Sequence, residues 1–259
     1  MTDTTFDTVL YTPADRVSVV TINRPGAMNS FDTSLRAELP KALALAAADD
    51  SRVVVLNAEG RGFGAGADLK EGFPESLTTQ LNDEYRPLFD VIDQCPKPII
   101  SAIHGAAAGI SLSVALYCDL SVMAEDAFLL APFTTIGLIP DGGAHFLFGR
   151  AMGYKRAFSA LVEATRMSAE EALEYGLVNR VVPAELLQKS TMDWADSFAD
   201  RAPLAMAQIK QVLRGAMHQD YDTVYRAEAV GQQVCRLSDD AAEGIDAFLN
   251  KRAPAFKGR

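Results

Sequence analysis

The sequence predicts an α/β domain on a mostly parallel sheet, followed by a helical C-terminal region. Three observations carry this. Short β-branched runs alternate with helical stretches through the first half of the chain. The spacing leaves room for crossover helices, and strand–helix–strand connections of that length are right-handed and set their strands parallel. From about Tyr154 onward the strand signal nearly vanishes, apart from "LVNRVVP" (177–183), and the last seventy residues carry helical periodicity in three or four segments.

The elements follow in order. "RVSVVTI" (16–22) and "SRVVVLNA" (51–58) are β-branched and read as buried strands. Between them "TSLRAELPKALALAAADD" (33–50) has helical composition, with a break or kink expected at Pro40. "GRGFGAGADL" (60–69) is a glycine-rich loop directly after a strand. "PIISAIHG" (98–105) is a third strand. "ISLSVALYCDL" (110–120) is an apolar helix beginning after Gly109, and "SVMAE" (121–125) a short strand after it. "GGAHFLFGRAM" is helix-like past its glycines. No internal repeat or low-complexity segment interrupts this order.

Bulk composition narrows the function classes. At 259 residues and 49% hydrophobic, the chain is long enough for one large core. A charged fraction of 22% and 12 prolines argue against disorder. A net charge of −10 argues against nucleic acid or an anionic membrane as the main partner. Cys95, Cys118 and Cys235 form no CxxC and meet no histidine cluster, which fits a reducing compartment and no metal site. The opening MTDTTFDTVLYT has no signal-peptide pattern, and no apolar run reaches membrane-spanning length. The expectation is a soluble, cytoplasmic protein.

Three stretches are candidate sites, each with a plainer alternative. In "GFGAGAD", Gly62, Gly64 and Gly66 let the backbone approach a ligand and point N–H groups at it; an ordinary tight turn explains them equally well. The pattern is neither a Walker loop nor a dinucleotide fingerprint. In "HGAAAGIS" (104–111) a helix starts after Gly109, and free N–H groups there suit an anion or a developing oxyanion; close packing of helix on strand is the alternative. His104, alone at a strand end, reads as structural. Asp141 stands in "FTTIGLIPDGGAHFLFGR" (133–150) after a greasy run, with His145 one helical turn later. From spacing alone Asp141 reads as a helix N-cap; as a lone acid in an apolar pocket it would be a proton carrier. No nucleophile elbow or cysteine nucleophile context is present.

Together these stretches resemble the enoyl-CoA hydratase/isomerase, or crotonase, family. The matching residues are "INRP…MNSF" (22–31), "GRGFGAGADL" (60–69), "KPIISAIHGAAAGISLSVALYCDLSVMAEDA" (97–127), "GLIPDGG" (137–143), "SAEEALEYGLVNRVVP" (168–183) and the closing "EGIDAFLNKRAPAFKGR" (243–259). The resemblance implies a spiral of ββα units, residues 1–195, carrying the acyl-CoA site, and a helical region, 196–259, that assembles trimers or hexamers. It implies an acyl-CoA substrate, coenzyme A being part of that substrate, and no tightly bound cofactor. It places the thioester oxygen between the backbone N–H groups of Ala67 and Ile110. Residues Ala65, Asp68, Leu69 and Lys70 would line the coenzyme A region. Arg24, and Phe248 with Lys251 from the closing helix, would be further coenzyme A neighbours. Ile110 serves where relatives often have glycine, because only its N–H is used.

The resemblance also separates the possible reactions. Hydratases of the family use two glutamates; the corresponding places here are Ser113 and Phe133. Adding water needs a base for the water and an acid for the α carbon, so two carboxylates suit it. In members that shift a double bond or isomerise ring-epoxidised aromatic acyl-CoAs, the acid at the place of Asp141 works alone. Phe133 at the second glutamate position dries the pocket and would raise the Asp141 pKa. The implied activity is therefore an isomerase moving a Δ3 double bond to Δ2, or acting on a related aromatic acyl-CoA. The alternatives are a hydratase or other family reaction using His145 or a bound water, and a non-catalytic acyl-CoA-binding member.

Overall fold

The β-branched runs pair in the expected sheet. The computed structural model describes residues 5–259; the first four residues of the 1–195 unit lie outside them. In chain order the strands are β1 (Val9–Thr12), β2 (Val17–Ile22), β3 (Val53–Ala58), β4 (Ile99–Ile103), β5 (Ala106–Ala108), β6 (Leu120–Ala124), β7 (Phe128–Leu130), β8 (Met167–Ser168) and β9 (Arg180–Val182). Six form one sheet in the order β1-β2-β3-β4-β6-β9, antiparallel only at β1–β2. β3 and β4 are buried almost throughout, as expected of parallel strands covered on both faces.

A second, narrower layer explains the spiral. β5 pairs with β7 and β7 with β8, and isolated bridges join Phe31 to Ala67 and Gly64 to Ala107. Each circuit thus lays one long strand in the large sheet and then one short extended piece in the second layer. These short pieces were not legible as strands. Ala106–Ala108 consists of a residue depleted in strands, and its small side chains are what let the glycine loop lie against it.

Helices close the circuits. α1 (Thr33–Ala48) is capped by the Asp32 carboxylate, which accepts from the Leu35 N–H at 2.8 Å. The break expected at Pro40 does not occur. Pro40 gives up one backbone hydrogen bond, but Leu35, Leu39, Ala42, Leu43 and Ala46 are all buried on either side of it, and that packing keeps the helix continuous across it. A helical stretch with no clear sequence signal follows the glycine loop: α2 (Leu77–Gln80), a π turn (Leu81–Tyr85) and α3 (Arg86–Gln94) run end to end. α4 (Ile110–Tyr117) is short and buried, and α5 (Ala144–Glu163) is long, with a non-helical residue at Gly153. α6 (Ala169–Glu174) carries a Ser168/Glu171 capping box.

α7 (Leu187–Ala199) lies on β3, β4 and β6, so the expected division at 195/196 falls inside a helix of the core. The helices that leave the sheet are α8 (Pro203–Ala216), α9 (Tyr221–Arg236) and α10 (Asp239–Leu249). Asp119 moors them. Its carboxylate accepts from Lys210 Nζ at 2.8 Å and from Arg214 at 2.9 Å on α8, and from the Ile99 N–H at 2.9 Å in the sheet. All three charged side chains are largely shielded from water, where losing one partner strands the others. The far faces of α8 and α9 stay apolar and open: Ile209 is 63% exposed, Leu213 60% and Val230 65%.

Candidate active site

Two turns of the chain touch where the spiral brings the glycine loop against the start of α4. The loop is stitched to β5: the Gly64 N–H donates to Ala106 O at 2.9 Å and the Ala108 N–H to Gly64 O at 2.8 Å. Gly66 and Gly109 both have positive φ, +96° and +56°. A Cβ on Gly109 would sit 3.2 Å from Gly66 Cα, and one on Gly66 would sit 3.2 Å from Ala108 O. Side chains would therefore hold the turns apart. Ser111 Oγ accepts from the Gly66 N–H at 3.1 Å and pins one turn to the other.

The neighbouring peptide groups are used up. The Phe31 N–H donates to Gly66 O, the Asp68 N–H to Phe31 O and the Gly109 N–H to Leu130 O. Among the described residues, the N–H groups of Ala67 and Ile110 have no internal partner. One belongs to an exposed loop residue and the other opens α4, where helix geometry leaves it unbonded.

A small cavity of about 130 Å³ joins this point to Asp141, with Ala67, Ile110, Phe133 and Leu138 in its walls. On the far side of Asp141 a second cavity of about 640 Å³ opens, and Leu77, Leu81, Tyr85, Leu138 and Asp141 line both. The helix-cap reading of Asp141 fails here. Gly143 occupies the N-cap of α5, with no side-chain cap bond. Only the main chain of Asp141 is engaged: its carbonyl accepts from the Ala144 N–H at 3.1 Å and from Ser113 Oγ at 2.9 Å. Its Oδ1 is buried and has no hydrogen-bond partner among the described residues. Burial, with no cation to offset it, pushes the Asp141 pKa up to about 6.

Ser113 and Phe133 are both buried beside this carboxylate. The loop after Asp141 sits hard against Ser113: a Cβ on Gly142 would lie 2.7 Å from Ser113 Cβ and 2.4 Å from Ile110 Cδ1. The small residue at 113 is thus part of what lets Asp141 reach in. His145 is exposed and forms no hydrogen bond with Asp141. His104 takes its structural reading, with Nε2 3.1 Å from Gly60 O.

The other expected site residues divide. Ala65, Asp68 and Leu69 line the small cavity with Ala67, and exposed Lys70 adjoins them. Arg24 reaches this rim through Asp68, but its charge is taken: its guanidinium pairs with Asp32 at 2.9 Å and Asp68 at 3.2 Å. It is not poised as a free anion-binding cation. Phe248, 83% exposed on α10, and Lys251 line neither cavity, so one chain alone does not bring them to the site. Tyr85 and Arg36 do line the small cavity and had no signal in the sequence; Tyr85 is one tyrosine in the polar stretch "LNDEYR". Among the described residues no group of His, Cys, Asp and Glu is arranged to hold a metal ion, and no helix is long and apolar enough to cross a membrane.

The carboxylate bears on stability with a definite sign. The folded protein holds the Asp141 proton up to about pH 6, whereas an unfolded aspartate loses it near the ordinary value of 3.8. The native state binds more protons in that window, so this group lowers stability as pH rises from about 4 to about 6 and keeps it lowered above. The cost at neutral pH is up to about 3 kcal/mol. Asp141→Asn is therefore expected to raise the melting temperature at pH 8 and to leave it nearly unchanged at pH 4. Equal shifts at both pH values would show that the carboxyl is not strained by burial.

Comparison with known proteins fits this geometry. The family model for enoyl-CoA hydratase/isomerase matches residues 13–259. A Rhodobacter capsulatus protein named as a probable enoyl-CoA hydratase is 35% identical over 98% of this chain and 99% of its own. An Escherichia coli 1,2-epoxyphenylacetyl-CoA isomerase is 34% identical over 94% of this chain and 95% of its own. The crystal structure of an enoyl-CoA hydratase subunit from Geobacillus kaustophilus superposes with a TM-score of 0.93 at 32% identity, covering 98% of this chain and 99% of that one. With the match spanning nearly the whole sequence and the whole fold, the chain belongs to the enoyl-CoA hydratase/isomerase family.

Proposed function

We propose that this chain is an acyl-CoA isomerase that moves a Δ3 double bond to Δ2, or rearranges a related aromatic acyl-CoA, with Asp141 as its one acid/base. The observation that carries this reading is the unpaired, buried Asp141 carboxyl in a cavity that also reaches two unpaired N–H groups. Relatives of similar identity are named as hydratase and as isomerase, so kinship alone does not choose between them. The side chains do. Ser113 and Phe133 offer no second carboxylate beside Asp141, and the acids nearest the small cavity, Asp68 and Glu71, are paired with Arg24 and Arg36.

The steps follow from the geometry. The acyl-CoA thioester oxygen sits between the Ala67 and Ile110 N–H groups, with the coenzyme A part along Ala65–Lys70. Ionised Asp141 takes a proton from C2. The electron pair moves toward the thioester, and the dienolate oxygen is held by the two N–H groups, whose loss would each cost roughly 100- to 1000-fold. The same carboxyl returns the proton to C4, leaving the double bond at Δ2. A carboxyl near pKa 6 suits both halves, being ionised at neutral pH yet basic enough to accept.

The test is migration of the double bond in 3-hexenoyl-CoA. The wild type is expected to be active, with kcat/KM falling as pH drops through about 6, because only the ionised carboxylate is a base. Asp141→Asn should lose about 100- to 10,000-fold without unfolding. A mutant that keeps more than about a tenth of the wild-type rate would assign the proton to another group.

The proposed assembly is a trimer or a hexamer built from two trimers, with the open apolar faces of α8 and α9 as the surfaces that association covers. Light scattering across a dilution series should give three or six copies; a stable monomer at micromolar concentration would contradict it.

A further inference from the structure

Tyr85 shares the predicament of Asp141. It is 4% exposed, and its hydroxyl is buried with no hydrogen-bond partner among the described residues. Among the described residues three other buried side-chain polar atoms lack partners, on Arg52, Asn57 and Arg214, and none of those residues lines the cavities beside Asp141. Tyr85 and Asp141 line both of them. Tyr85 ends the π turn Leu81–Tyr85, whose extra residue rotates the following side chains by about 100° relative to an unbroken helix. Such turns recur at functional sites. The ring is held by Phe31, 6.0 Å away between centroids, and by the Arg36 guanidinium, 5.5 Å from its centroid. Arg36 is itself fixed by Glu71 and Glu84. The phenol is therefore rigid, and burial pushes its pKa up to about 12, so it stays protonated and can donate.

A donor buried without an acceptor is costly unless a ligand supplies one. Leu77, Leu81 and Leu138 offer none, and Asp141, the acceptor among the residues that line both cavities, makes no hydrogen bond with the phenol. A plain hydrocarbon chain would fill the apolar walls and leave the phenol unsatisfied. We infer that the acyl group this site takes carries an oxygen substituent, and that Tyr85 selects it by donating a hydrogen bond to that oxygen beside Asp141. This deepens the isomerase reading by naming a substrate class, and rests on the same acyl-CoA site. It assigns Tyr85 to specificity rather than to proton transfer.

The test is binding, which separates it from catalysis. The probes are hexanoyl-CoA and hexanoyl-CoAs with one hydroxyl at C3, C4, C5 or C6, measured by calorimetry on the wild type and on Tyr85→Phe. At least one hydroxylated ligand is expected to bind the wild type about 10- to 100-fold more tightly than hexanoyl-CoA. In Tyr85→Phe that ratio should fall to about one. The variant removes an oxygen that bonds to nothing in the protein, so it should fold; Tyr85→Leu is the second variant if it does not. No preference in the wild type, as when a bound water satisfies the phenol, overturns the inference. So does a preference that survives both variants. If the hydroxyl preference is found but 3-hexenoyl-CoA is not isomerised, the Δ3-to-Δ2 reading falls and the Tyr85 assignment stands. The reverse result leaves the isomerase and removes the assignment.

Discussion

The contact between Gly66 and Gly109 is the constraint on which the site depends. Two backbones approach until an added Cβ at either position would crowd the other turn. That approach brings the glycine loop onto the start of α4, and Ser111 locks it with one hydrogen bond. Everything chemical follows from the resulting arrangement. The peptide groups on either side are consumed by β5, β7 and Phe31, which leaves the Ala67 and Ile110 N–H groups over. A site made of backbone donors tolerates varied side chains, so an isoleucine at 110 is compatible with it.

Asp141 is the second half of the arrangement, and its properties come from what is missing around it. Phe133 and Ile110 supply apolar surface, and Ser113 supplies only a hydroxyl, spent on the main-chain carbonyl of Asp141. Desolvation without compensation is what raises a carboxyl pKa. The same feature destabilises the fold and suits the group for carrying a proton. Strain of this kind persists at functional sites and is offset by the buried sheet and helices elsewhere.

How far the sequence revealed this depended on the kind of interaction. Strands made of Val and Ile were legible because their composition fits a sheet buried on both faces. The Ala106–Ala108 strand and the π turn before Arg86 were not, since both are imposed by packing that no local pattern announces. Pro40 pointed to a break that buried leucines overrode. At the site, the two glycine-rich turns were visible as backbone features, but neither their meeting nor the freedom of the two N–H groups was. Spacing favoured a helix cap for Asp141, and only the third dimension shows Gly143 in that position. Tyr85 carried no signal, because its importance lies in an unsatisfied bond rather than in a motif.

The central claim is that one carboxyl, Asp141, carries a proton between two carbons of the same substrate. The direct measurement is a single turnover of 3-hexenoyl-CoA deuterated at C2, run in ordinary water and read by mass spectrometry and NMR. A buried Asp141 that exchanges slowly with solvent should deliver a measurable share of the deuterium to C4 of the 2-hexenoyl product. Product carrying only solvent hydrogen at C4 would contradict the account.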